Sequence, residues 1–121
     1  MSEESIDHGT RRFAVLHHTG GGDEHYDFLF EKDDRSPLIT FRLPHWPVIE
    51  NEQVKRLKDH RRVYLEFEGA IPGDRGRVDR VAEGAVQVIE LRSAWVLRRG
   101  DGQSMLRFEN PLDDEWWVIV T

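Results

Sequence analysis

Twelve residues, HHTGGGDEHYDF at 17–28, gather three histidines, two aspartates and three glycines. In an extended strand alternate side chains share a face, so His25 and Asp27 would lie on one side of HYDF and Tyr26 and Phe28 on the other. Their Cα atoms would be about 7 Å apart, near enough for both side chains to reach one ion. The preceding run alternates Phe13, Val15 and His17 against Ala14, Leu16 and His18. If TGGGDE turns the chain, His17 or His18 returns opposite His25, roughly 5 Å away at Cβ. Two imidazoles and a carboxylate converging from one hairpin would suit Mn²⁺, Fe²⁺ or Zn²⁺, with positions open to water and substrate. The plain alternative is three surface histidines beside a flexible turn, because His-x-Asp alone is a weak motif.

A second polar set stands in HRRVYLEFEG, residues 60–69. Alternation predicts a strand with Val63, Leu65 and Phe67 in the core and His60, Arg62, Tyr64, Glu66 and Glu68 opposite. A histidine, an arginine and a tyrosine on one face could hold a phosphate near a metal. A solvated outer face has the same composition.

Something must position these groups, and the chain supplies short β-type runs between turn signals. RFAVLHH, HYDFLFEK, PLITFRL, RRVYLEFE, RVDRVA, AVQVIEL, AWVLRR, SMLRFE and WWVIVT are separated by GGG, DDRSP, PG, EG, GDG and NPLDD. This spacing predicts a mainly β fold, a compact antiparallel β-barrel of about eight strands with one or two short helices. ENEQVKRLKDH, with Val54 and Leu57 three apart and good helix formers around them, is the predicted helix. Residues 1–10 read as a loose tail and 11–121 as one domain.

Composition narrows the chemistry. Cysteine is absent, so any metal must sit on His, Asp or Glu. The net charge of −6 argues against broad non-specific binding to nucleic acid, which depends on neutralising phosphates. The cations are nonetheless clustered: VKRLKDHRR (54–62) and GDRGRVDR (73–80) hold eight of the 17 Lys and Arg, enough for a local patch that accepts one strand end. No apolar run approaches the roughly 18 residues of a membrane span. MSEESIDHGTRR has no apolar stretch of the signal-peptide kind, so a cytoplasmic location is expected.

RRFAVLHH, HYDF and DHRRVYLEFEGAIPGDRG together resemble the 3′-phosphoesterase domain of bacterial DNA ligase D and its stand-alone relatives. The likeness rests on His18 five residues after Phe13, on His25-Tyr26-Asp27-Phe28, on Asp59-His60 followed by Tyr64, and on Phe67-Glu68-Gly69 with Ile71-Pro72 behind. SAWVLRR and EWWVIV resemble its closing strands, extending the likeness over roughly residues 11 to 120. The resemblance implies a β-barrel with a divalent metal, usually manganese (zinc or another transition metal being alternatives). It implies removal of a 3′-terminal ribonucleoside and then a 3′-phosphate from DNA or RNA–DNA ends. The resulting 3′-OH would serve a polymerase or ligase of end joining. His18, His25 and Asp27 match the metal ligands, and His60 and Tyr64 match residues at the scissile phosphate.

The chain departs from the family at several cations. Leu29 stands where the family has arginine, FRLPHWP lacks the expected lysine, and Glu52 falls near another family arginine. The interval from His18 to His25 is one residue longer than usual, which leaves His17 as a substitute. On the enzymatic reading Arg62 or Arg77 would clamp phosphate oxygens, Arg42 or Arg75 could replace missing cations, and Leu29→Arg should raise the rate. The competing readings are a barrel that binds ends or a repair protein without chemistry, and a metal-binding barrel acting on a small molecule. The ligand set is expected to converge at the barrel mouth, with His60 facing the same opening as His25.

Overall fold

The computed structural model describes residues 4–100, 105–112 and 114–120. Its strands, in chain order, are β1 (Ser5–Thr19), β2 (His25–Phe30), β3 (Ile39–Leu43), β4 (Glu52–Arg56), β5 (Gly69–Ala70), β6 (Arg77–Leu91), β7 (Ala94–Arg98), β8 (Met105–Leu112) and β9 (Glu115–Val120). All pair antiparallel, in the order β1-β2-β3-β4-β9-β8-β7-β6-β5, and β1 pairs again with β6. That second pairing closes eight strands into a barrel and leaves the two-residue β5 as an extra strand on β6. The one helical element among the described residues is a 3₁₀ turn, Arg62–Leu65. No helix among them is long and apolar enough to cross a membrane.

Alternation along the strands fills the barrel. Val15, Phe28, Phe30, Phe41, Leu43, Val88, Phe108 and Val118 meet inside it. Phe41 and Phe108 stack with centroids 4.2 Å apart, and Phe28 meets Phe108 edge-on. Such ring pairs add to the burial of their area.

The opposite face of the same wall is also covered. Ala14, Leu16, Leu29, Leu38 and Val78 form a second buried cluster with Leu65, against which Tyr64, Phe67 and Ile71 pack. The chain from 57 to 72 thus lies over the outside of β1, β2 and β3. This explains why β2 is buried continuously from Asp27 to Phe30 instead of at every second residue.

Three sequence expectations are corrected. The helix predicted over ENEQVKRLKDH is instead β4, whose Val54 enters the barrel core opposite Trp116. Two apolar residues three apart are too few to decide between helix and strand, and pairing with β3 and β9 decided it. The strand predicted over RRVYLEFE is the 3₁₀ turn and its exit, with Val63 56% exposed while Leu65 is buried. Its alternation is accidental, because Tyr64, Leu65 and Phe67 all serve the outer cluster. Residues 5–10 of the expected tail belong to β1, in register with β6, where His8 bonds Glu90 at 3.0 Å and its ring lies over Trp95. Residues 1–3 of that tail lie outside the described residues.

Candidate functional site

The β1–β2 hairpin sets the site. Its register places His18 directly opposite His25 and Leu16 opposite Asp27, while His17 faces Tyr26. His18, His25 and Asp27 therefore share the outer face with Leu16 and Leu29, beyond the edge of the covering segment. They converge on the outside of the wall, not at the barrel mouth as expected. His17 lies on the other face, stacked on Tyr26 at 4.4 Å and bonded to Glu24 at 2.6 Å.

Hydrogen bonding fixes how the two imidazoles are presented. His18 Nε2 lies 2.8 Å from the carbonyl oxygen of Arg75, and His25 Nδ1 lies 3.0 Å from that of Asp23. A carbonyl only accepts, so each of those outer nitrogens carries its ring's proton. The remaining nitrogens, His18 Nδ1 and His25 Nε2, face each other at 3.1 Å. Two neutral rings so anchored would point lone pair at lone pair. Burial holds the His25 imidazole below the ordinary histidine range and Arg42 pushes the same way, against the pull of Asp27. A proton on either of the two nitrogens makes the contact a hydrogen bond.

His18 Nδ1 and His25 Nε2 could supply two ligands to a divalent transition metal. Nitrogens about 2.1 Å from one tetrahedral ion are about 3.4 Å apart, so the rings would have to part slightly from 3.1 Å to take one; outer-nitrogen bonds to carbonyls are the usual way to orient such ligands. The carboxylate is less ready. Asp27 Oδ2 lies 3.8 Å from His25 Nε2, and Arg42 holds both carboxylate oxygens, Nε to Oδ1 at 2.9 Å and Nη2 to Oδ2 at 3.2 Å. As the side chains stand, no group of three or more His, Asp or Glu among the described residues is gathered into a complete metal site.

Two cations follow Asp27 in register across the sheet. Arg42 is opposite Asp27 in the β2–β3 register, and Lys55 on β4 is opposite Arg42 and exposed. Sequence reasoning named Arg42 only as a stand-in and gave Lys55 no role. Once Lys55 was assigned to a helix, nothing could place it beside Arg42.

The other predicted residues are more dispersed. His60 forms an isolated bridge with Leu38, four residues along β3 from Arg42 and so about 13 Å down the strand from the level of Asp27. It shares the outer face but not the same point on it. Its Nδ1 contacts the Lys58 carbonyl at 2.9 Å, and its ring meets Tyr64 edge-on at 5.6 Å. Tyr64 packs on Phe67 and on the second cluster.

Arg62 is a structural group here. It ion-pairs with the buried Glu31 and donates to the carbonyls of Asp33 and Ser36 at 3.2 and 3.0 Å. Arg77, one residue from the partner of His18, alternates onto the opposite face and bonds Asp79 at 2.9 Å. Neither expected clamp stands at the histidine pair. Arg75 supplies its carbonyl to the site, while its Nε donates to the Pro72 carbonyl.

A concavity of about 700 Å³ lies elsewhere, at one end of the barrel interior, lined by Phe13, Phe28, Trp46, Leu97 and Leu106 among others. It contains none of the predicted site residues; Glu83 and Arg99 are the charged residues in a lining that is otherwise mainly apolar. Against known proteins, no protein-family model matches the chain and no curated protein matches it.

Proposed function

We propose that this chain is a divalent-metal-dependent phosphoesterase that processes 3′ ends of DNA or RNA–DNA, with manganese as the metal. The observation that carries the reading is the pair of facing imidazole nitrogens 3.1 Å apart, each ring backed by a carbonyl, beside a carboxylate and two cations in register. The resemblance to the ligase D phosphoesterase domain supplies the substrate class.

His18 Nδ1 and His25 Nε2 would hold the metal, with Asp27 joining when its carboxylate turns from Arg42. Bound there, a divalent ion neutralises charge on phosphate oxygens. Arg42 then changes partner, from the Asp27 carboxylate to a phosphate oxygen pair that its planar fork also matches. Lys55 adds a point charge on the solvent side. His60 and Tyr64 sit too far along the strand to share that phosphate and would instead contact the adjoining part of the strand, Tyr64 by stacking.

The test is release of inorganic phosphate from a 3′-phosphorylated primer with Mn²⁺. Release that stops on chelation and in His25→Ala is the expected result. A second reading, an end-binding barrel without turnover, draws on Asp27 and Arg62 being engaged by protein partners. Tight primer binding with Mn²⁺ bound and no phosphate released would decide for it.

A further inference from the structure

Two loops meet behind His18, with no space for a side chain between them. A Cβ on Gly21 would lie 2.1 Å from the Arg75 oxygen, and one on Gly76 would lie 2.1 Å from the Thr19 oxygen and 2.7 Å from the Gly21 nitrogen. The β1–β2 loop and the β5–β6 loop are therefore in backbone contact at Gly21 and Gly76. The β5–β6 loop is braced from within, by the Ile71 N–H on the Gly76 carbonyl at 2.8 Å and by Arg75 Nε on the Pro72 carbonyl at 2.9 Å. Its Arg75 carbonyl, fixed in this way, receives the His18 Nε2–H.

We infer that this glycine clasp is a positioning device: it holds the Arg75 carbonyl against His18 and so keeps that ring in the Nε2–H form, with Nδ1 bare toward His25. The inference rests on the metal reading for its purpose, but the clasp acts on the ring whether or not an ion is bound. His18 and His25 come from one hairpin, yet a second, sequence-distant loop determines which nitrogen of His18 is presented. Outer bonds of this kind alter metal affinity by about 10–100-fold when removed.

Nitrogen-15 and proton correlation of the imidazoles, recorded without metal at mildly alkaline pH, tests the clasp. In the parent protein His18 should be the Nε2–H tautomer, with that proton slow to exchange; His18 as Nδ1–H, or with a rapidly exchanging Nε2 proton, overturns the proposal without any variant. Gly76→Ala should shift His18 toward a tautomer mixture and weaken Mn²⁺ binding about 10–100-fold. Gly22→Ala is the control, since Gly22 has a similarly unfavourable φ of +132° but nothing within 4 Å of an added Cβ. It should leave the tautomer as in the parent. A folded Gly76→Ala protein with His18 unchanged refutes the clasp. A parent that has the predicted tautomer but takes up no Mn²⁺ sustains the clasp and refutes the metal reading.

Discussion

Asp27 and Arg42 face one another across β2 and β3, joined by two hydrogen bonds, with the carboxylate buried and the guanidinium about a third exposed. The aspartate is thus neutralised by an arginine in the absence of an ion. Arg42→Ala should cost about 1–2 kcal/mol, less than for a fully buried pair because the arginine is partly in water. Added Mn²⁺ should restore more stability to the variant than to the parent, since the ion then meets an uncommitted carboxylate. Denaturant melts with and without Mn²⁺ measure this; equal gains in both proteins would remove Asp27 from the ligand set.

Leu29 is fully buried in the second cluster, under the covering segment with Leu16, Leu38 and Leu65. Installing the family's arginine there would force a guanidinium into an apolar site. Leu29→Arg should therefore lower stability by several kcal/mol instead of raising the rate, contrary to the sequence-based expectation. A stable Leu29→Arg protein with faster turnover would show that the covering segment can lift away.

Arg62 joins the 3₁₀ turn to the loop after β2 through Glu31, Asp33 and Ser36. Arg62→Ala leaves Glu31 with the Arg12 N–H, 2.8 Å from its Oε1, as its remaining hydrogen bond. The expected loss is about 2–3 kcal/mol of stability, with KM for the primer unchanged in protein that remains folded. A raised KM at unchanged stability would return Arg62 to the phosphate.

The turn itself can be tested by its apolar residues. Leu65→Ala should cost about 2–4 kcal/mol and Val63→Ala under about 0.5 kcal/mol, because one is buried and the other mostly exposed. Similar losses at both positions would indicate a strand here.

His25 gives a pH dependence. Burial lowers its folded-state pKa beneath the unfolded value of 6.5. The unfolded chain thus takes up the proton first as pH falls. Stability from the neutral ring is complete above 6.5 and is lost as pH falls through the folded value. Mn²⁺ affinity should fall in the same direction, because protons compete for the ligand nitrogens. Urea melts from pH 8 to 5 should show this slope in the parent and a smaller one in His25→Gln.

What the sequence disclosed was local. The hairpin joining His18 to His25 is fixed by its own register, and alternation along HYDF correctly separated Asp27 from Phe28. The barrel was legible from strand spacing because each run is short and bounded by turn residues. Errors came where a distant element determined the outcome. Val54 and Leu57 fit a helix until β9 is present to pair with β4. Tyr64, Leu65 and Phe67 alternate with polar residues, yet they pack on the outside of a wall that no local pattern reveals. Ser5–Thr10 looked like a tail because its partners on β6 are some 80 residues away. Lys55 and the Arg75 carbonyl were overlooked for the same reason.

The wall formed by β2 separates what a lineage can discard from what it must retain. Phe28 and Phe30 answer to the volume of the lumen, while Asp27 and His25, on the other face of the same strand, answer to Arg42, His18 and the loop at Asp23. Toward the hairpin end the outer positions are free of the buried Leu16 and Leu29 cluster, so substitutions there can alter what that face presents without touching either packed layer.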